Sequence, residues 1–136
     1  PILMDVTPLS LGVETVSGYC QHLVRRNAPI PSEQTRTFST GMDDQTSVAV
    51  RICQGESRVM AENQPLGVIE LTGLRAAARG KLKIEVTFQI DASGILDVRA
   101  RDLDTGRQQL VRINLLGGVN DGEIEAMRAR QQSAFG

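Results

Sequence analysis

The feature that most constrains the fold is an unbroken alternation of apolar and polar residues over 82–90. A period of two places successive side chains on opposite faces of a strand, so one face is dry and the other wet. Two more alternating runs follow, at 95–100 and 108–115. Turn-forming residues separate them, at 91–94 and 104–106, each ending on a glycine that tolerates positive φ. The pattern predicts a three-stranded antiparallel meander.

The N-terminal half carries the same signal with less regularity. Residues 11–16 and 21–24 are typical of a hairpin around Ser17-Gly18, and 35–40, 47–53 and 66–71 are further β-prone runs. About eight strands fit in 136 residues, a length that suits one domain with a substantial core. We therefore expect a mainly β protein with the fold of an antiparallel β-sandwich.

The end of the chain has a different pattern. Asn120 is a suitable helix cap, and Asp121 and Glu123 would place negative charge in the first turn. Ile124 and Met127 follow at helical spacing. We expect a short C-terminal helix within 120–136, although a helix of this length is marginal without packing partners.

Composition argues against several functional classes. The net charge is −1, aromatic residues make up 3% of the chain, and there is no tryptophan. A surface that binds nucleic acid or an anionic membrane would need a basic excess, and one that binds bases or sugars would need aromatic platforms. We therefore expect no nucleic-acid partner and no membrane partner.

The chemistry-bearing residues do not form a catalytic set. His22 is the only histidine and has no evident relay partner, so we expect it to have a surface or packing role. Cys20 and Cys53 lack metal-ligand spacing, and we interpret them as buried thiols; a disulfide between them stays an open alternative. Gly117-Gly118 lacks the lysine and hydroxyl residue of a phosphate-binding loop. We expect no enzymatic activity, no catalytic residue and no metal site in this chain.

Two apolar rows remain, at 48–52 and at 84–88. Composition alone favours a sandwich core, and the pattern does not distinguish a core from a groove that opens between loops. The N-terminal residues Ile2, Leu3 and Met4 are also apolar, and they need cover from the chain's own body, a partner or another domain. Because the chain starts at a proline, we expect it to be a piece of a longer protein.

The opening residues 5–12, Asp-Val-Thr-Pro-Leu-Ser-Leu-Gly, are similar to a signature that follows the interdomain linker in the 70-kilodalton heat-shock chaperone family, of the bacterial DnaK type. The further matching segments, in the same order and spacing, are 12–15, 26–31, 38–40, 44–46, 54–56, 63–67 and 84–96. The resemblance implies a linker at 1–5, a β-sandwich peptide-binding domain at 6–116 and the start of a helical lid at 120–136.

In that family the β domain holds an extended hydrophobic peptide between two loops, with one aliphatic side chain in a central pocket. Main-chain contacts then supply affinity and pockets supply preference. The resemblance assigns the peptide-binding role to Val13, Thr15, Val16, Phe38, Ser39, Thr40, Gly41, Gln45, Ser47, Val48, Val50, Ile52, Ile84 and Val86. Val16 and Gly41 match the two residues that arch over the bound peptide. Both are smaller than is usual there, so we expect an open arch and faster peptide release.

The resemblance also implies roles outside the groove. Ile2, Leu3, Met4, Asp5 and Arg26 match positions that dock onto the ATPase domain, and Asp43 and Arg79 match positions that latch the lid. The expected partners are unfolded or extended hydrophobic peptides, the ATPase domain and, through the parent protein, a J-domain cochaperone and a nucleotide exchange factor. ATP and Mg are expected in the N-terminal domain and no cofactor in this chain.

The resemblance leads to one principal interpretation and one alternative. The principal one is a cytoplasmic chaperone module that grips hydrophobic segments under allosteric control of an ATPase domain. The alternative is a divergent member that uses the sandwich as a dedicated scaffold for one partner, because a fold alone does not settle function. We also expect self-association through residues 1–5 or through the C-terminal helix.

Overall fold

Eight strands form in the computed structural model, which describes residues 3–117 and 134–135. The strands are β1 (Leu11–Glu14), β2 (Cys20–Val24), β3 (Ser32–Ser39), β4 (Val48–Gln54), β5 (Gln64–Leu71), β6 (Lys83–Ile90), β7 (Ile95–Asp102) and β8 (Gln108–Asn114). Single 3₁₀ turns lie at Val16–Gly18 and Met60–Glu62. The predicted meander corresponds to β6, β7 and β8, and the predicted N-terminal hairpin to β1 and β2.

The strands pair into two four-stranded sheets. One has the order β2-β1-β4-β5 and the other the order β3-β6-β7-β8. Every pairing is antiparallel. The mainly β class and the antiparallel sandwich of about eight strands are therefore confirmed.

The core lies between the inner faces of the two sheets. Val50 and Ile52 of β4 and Ile84, Val86 and Phe88 of β6 are fully buried, each with 0% of its surface exposed. These are the alternating apolar positions of the sequence, so the period of two sets which side chains pack inward.

The turns of the meander follow from their sequences. Asp91 Oδ1 accepts hydrogen bonds from the backbone N–H groups of Ser93 (2.9 Å) and Ile95 (3.1 Å). Gly94 then adopts a φ of +81°, which favours glycine. A carboxylate that bonds backbone amides ahead of it and a left-handed glycine together reverse the chain in four residues.

The two cysteines meet across β1. Gly12 of β1 lies between β2 and β4, and Cys20 Sγ reaches Cys53 Sγ at 3.0 Å. Both are buried free thiols, as the sequence predicted. The contact with Cys20 and burial raise the pKa of the Cys53 thiol, so that thiol is protonated at neutral pH.

The N-terminal segment, residues 3–6, runs along the sandwich. The Met4 backbone N–H donates to the Ala92 carbonyl (2.8 Å), and the Ile30 N–H donates to the Asp5 carbonyl (3.1 Å). Val6 pairs with Pro29 in an antiparallel bridge. The chain's own body thus covers part of this apolar stretch, although Leu3 remains 66% exposed.

The predicted C-terminal helix falls mostly on residues 120–133, which lie outside the described residues. At residues 134–135 the structure differs from the expectation, because Phe135 pairs with Thr40 in an antiparallel bridge. The domain boundaries at 1–5, 6–116 and 120–136 stay predictions.

Candidate functional site

The loop that joins β3 to β4, residues 40–47, is fastened to the segment that precedes β6. The Thr40 N–H donates to the Leu82 carbonyl (3.1 Å), and the Thr40 carbonyl accepts from the Gly80 N–H (3.0 Å). Farther along, the Leu74 N–H donates to the Thr46 carbonyl (3.0 Å). These bonds fix both ends of the 40–47 loop, and we call the stretch between them, residues 41–45, its inner edge.

Gln45 organises that inner edge. Its side chain is only 8% exposed. Its Oε1 accepts from the Gly41 N–H (3.2 Å), and its Nε2 donates to the Ser47 carbonyl (2.8 Å). The amide therefore holds the loop in one shape from inside, and its second N–H remains for another acceptor.

That acceptor belongs to the chain's own 134–135 segment. The Ala134 carbonyl accepts from the Gly41 backbone N–H (3.2 Å) and from Gln45 Nε2 (3.1 Å). Phe135 completes an antiparallel bridge with Thr40. The segment is thus held as a short added strand, through contacts that read backbone geometry and not side-chain identity.

The side chain of Phe135 anchors the segment. It is 1% exposed, belongs to the hydrophobic core cluster, and stacks on Phe38 with ring centroids 4.8 Å apart and planes 18° apart. We call the surface formed by Phe38, Thr40, Gly41 and Gln45 the groove. It combines two N–H donors, the Gly41 backbone and the Gln45 side chain, with an apolar contact for one large side chain.

Six of the predicted site residues form an apolar set in the hydrophobic core. Each has 1% or less of its surface exposed and belongs to the same cluster as Phe135. The six are Val13, Val48, Val50, Ile52, Ile84 and Val86. Of the other predicted residues, Phe38, Thr40, Gly41 and Gln45 contact the 134–135 segment directly. The structure therefore brings the predicted loop residues together around an extended backbone.

Four predicted residues are placed differently. Ser39 Oγ accepts from Lys83 Nζ (2.7 Å), and Ser47 is exposed and meets Gln45 through its carbonyl. Thr15 is buried, with its N–H donated to the Tyr19 carbonyl (2.6 Å). Val16 is 48% exposed in the 3₁₀ turn that follows.

The predicted lid-latch and docking residues lie on paired segments of the surface. The Arg79 N–H donates to Asp43 Oδ1 (2.8 Å), so these two residues meet through a backbone-to-carboxylate bond. Asp5 and Arg26 are both exposed and lie on the two segments that pair at the Val6–Pro29 bridge. Their roles toward a lid or an ATPase domain stay predictions.

His22 has a structural setting. It is 7% exposed, and its Nε2 lies 2.8 Å from the Gly55 carbonyl oxygen. This agrees with the predicted packing role. Within residues 3–117 and 134–135 there is no cluster of three or more His, Cys, Asp or Glu side chains suited to a metal ion. The same described residues include no helix long and apolar enough to span a bilayer.

Sequence reasoning missed the two residues that occupy the groove. Ala134 and Phe135 were included in the predicted helix, so no binding role was assigned to them. A signal was nevertheless present, because Phe135 is one of only three phenylalanines in the chain and a large apolar side chain is usually buried.

Comparison with protein families agrees with the sequence signatures. The model of one family, described as Hsp70 protein, matches residues 2–135. The match spans the whole sandwich, including the four groove residues and residues 134–135.

Proposed function

Because this chain belongs to the Hsp70 family, we propose that its sandwich is a chaperone module that holds extended hydrophobic segments of unfolded proteins in the groove. The observation that carries the proposal is the strand-like seating of the 134–135 segment. A carbonyl held by two N–H donors and a buried apolar side chain are the two elements that such a ligand would offer. The segment serves as an example of what the groove accepts.

The energetics suit reversible capture. Burying one large apolar side chain contributes about 2 kcal/mol, and each backbone hydrogen bond adds about 1 kcal/mol. Ordering a disordered peptide offsets several kcal/mol of that gain. These small and partly offsetting contributions favour weak, readily reversible binding, which allows exchange without a chemical step in this chain.

The remaining features of the proposal concern the parent protein. We propose that ATP and Mg act in an N-terminal ATPase domain, that the N-terminal segment and Arg26 transmit its state, and that Asp43 and Arg79 hold a lid. J-domain cochaperones, a nucleotide exchange factor and a cytoplasmic setting belong to the same proposal. So does the bacterial DnaK type of the parent.

Fluorescence polarisation with labelled heptapeptides tests the binding function. Peptides with apolar centres should bind with micromolar dissociation constants, and peptides with charged centres should not bind. In the Phe135→Ala background, where the competing 134–135 segment is weakened, Gln45→Ala removes the side-chain donor and should weaken the binding of apolar peptides by roughly twofold to tenfold. Gln34→Ala in the same background, at an exposed position of β3, is the matched control and should leave affinity unchanged.

Two outcomes would contradict the proposal. Failure of every apolar peptide to bind, including to a chain whose own segment has been removed from the groove by Phe135→Ala, would exclude general peptide capture. Binding to a single sequence, regardless of apolar content, would favour the dedicated scaffold instead.

A further inference from the structure

The rings of Phe38 and Phe135 make a contact that the general function does not require. They stack with centroids 4.8 Å apart and planes 18° apart, a near-parallel arrangement whose energy exceeds that of area burial alone. Aromatic residues are scarce in this chain, with three phenylalanines and one tyrosine. Phe88 is fully buried in the core, so Phe38 is the phenylalanine that presents its ring to the groove.

The position of Phe38 makes its ring a fixed feature of the groove. It is the penultimate residue of β3, paired with Ile84 of β6, and it packs partly buried against the core cluster. The 40–47 loop that follows β3 supplies both donors to the Ala134 carbonyl, the backbone N–H of Gly41 and the side-chain Nε2 of Gln45. The ring and the two donors thus come from one strand end and the loop that continues it.

We infer that the groove selects an aromatic side chain as its buried anchor, stacked on the Phe38 ring, in preference to an aliphatic one. This inference rests on the proposed function and specifies its substrate class. It departs from the expectation that a central pocket takes an aliphatic side chain. In the seated segment, the residue held by two N–H donors is followed directly by the stacked ring, so both requirements are met by two consecutive residues.

Size and stacking can be separated with three peptides that differ at one position. The central residue is phenylalanine, cyclohexylalanine or leucine, and all other residues are identical. Cyclohexylalanine has nearly the size and apolar surface of phenylalanine but no π-system. The protein is the full chain with Phe135→Ala, which removes the competing ring, and the readout is fluorescence polarisation.

The phenylalanine peptide should bind about threefold to tenfold more tightly than the cyclohexylalanine peptide, the range expected for one aromatic pair. Phe38→Leu in the same background should abolish that advantage, so that the phenylalanine and cyclohexylalanine peptides bind about equally. Affinity for the leucine peptide should change by less than about threefold. Circular dichroism checks that the variant folds. The comparison of the first two peptides needs no substitution at Phe38, so it stands even if Phe38→Leu fails to fold.

Each other result counts against the inference. Equal or tighter binding of cyclohexylalanine or leucine would overturn the aromatic preference and leave peptide capture intact. An advantage for phenylalanine that persists in Phe38→Leu would show that another part of the groove is responsible. Absence of binding by all three peptides would overturn the proposed function together with this inference.

Discussion

At the scale of single residues, the exposed Glu56 holds the segment that follows β4 against Ser10, which directly precedes β1. Its Oε2 accepts from the Ser10 backbone N–H and its Oε1 from Ser10 Oγ, both at 2.8 Å. Ser10 Oγ in turn accepts from the Arg26 N–H at 2.8 Å. The backbone N–H of Ser10 is the main cause that holds the pKa of the Glu56 carboxyl below its ordinary value.

The lowered pKa predicts a pH-dependent contribution to stability. A carboxyl whose pKa is lower in the folded state stabilises the fold fully above its unfolded pKa of about 4.3. That contribution is lost as the pH falls through the folded pKa. We expect the thermal midpoint of the wild type to exceed that of Glu56→Gln at pH 7 and the difference to shrink below about pH 4.3.

Circular dichroism melts between pH 7 and pH 3 measure this difference. Glu33→Gln, an exposed glutamate on β3, is the matched control and should follow the wild type throughout. A midpoint difference for Glu56→Gln that is constant down to pH 3 would mean that the charged state of Glu56 contributes nothing.

At the scale of elements, Gly12 sets the spacing between β1 and β2. A Cβ built on Gly12 would lie 2.5 Å from the Gln21 carbonyl oxygen and 3.0 Å from Cys20 Sγ. The first of these atoms is backbone, so it can move only if the strands part. Gly67 of β5 provides a contrast. A Cβ built there would meet only the Ile113 side chain, with Cδ1 at 3.5 Å and Cγ1 at 4.0 Å.

Substituting each glycine by alanine tests that role. Gly12→Ala should lower the free energy of unfolding by about 1–3 kcal/mol, the usual cost of overpacking. Gly67→Ala should be neutral or slightly stabilising, because glycine inside a strand costs about 0.5–1 kcal/mol relative to alanine. Urea unfolding gives both values, and equal losses for the two variants would contradict the prediction.

The elements also show where sequence reasoning succeeds and where it stops. The alternation in β6 predicted its buried face, since the period of a strand assigns every side chain to one side. The groove was not predictable from composition or periodicity, because buried valines such as Val48 and Val86 give the same alternating pattern whether they pack in a core or support a binding site. The family resemblance supplied that distinction. The seating of Phe135 was missed because its neighbours have helical spacing.

At the scale of the whole molecule, the chain acts as a ligand of its own groove. Two groups on one chain meet at an effective concentration that can reach the order of millimolar. An external peptide at micromolar concentration therefore competes at a disadvantage with residues 134–135. Phe135→Ala should raise the apparent affinity for external apolar peptides, because it weakens the internal competitor without altering the donors of Gly41 and Gln45.

The same competition governs self-association. With residues 134–135 seated, the self-association expected from the sequence should be suppressed in the wild type at tens of micromolar, because the internal contact outcompetes a second copy. In Phe135→Ala the internal contact is weakened, and we expect the apolar residues 2–4 of another copy to enter the groove, with Leu3 already 66% exposed. Sedimentation velocity should show a concentration-dependent dimer that excess apolar peptide dissociates. Adding Leu3→Ser should restore the monomer, whereas a dimer that survives both treatments would place the contact elsewhere.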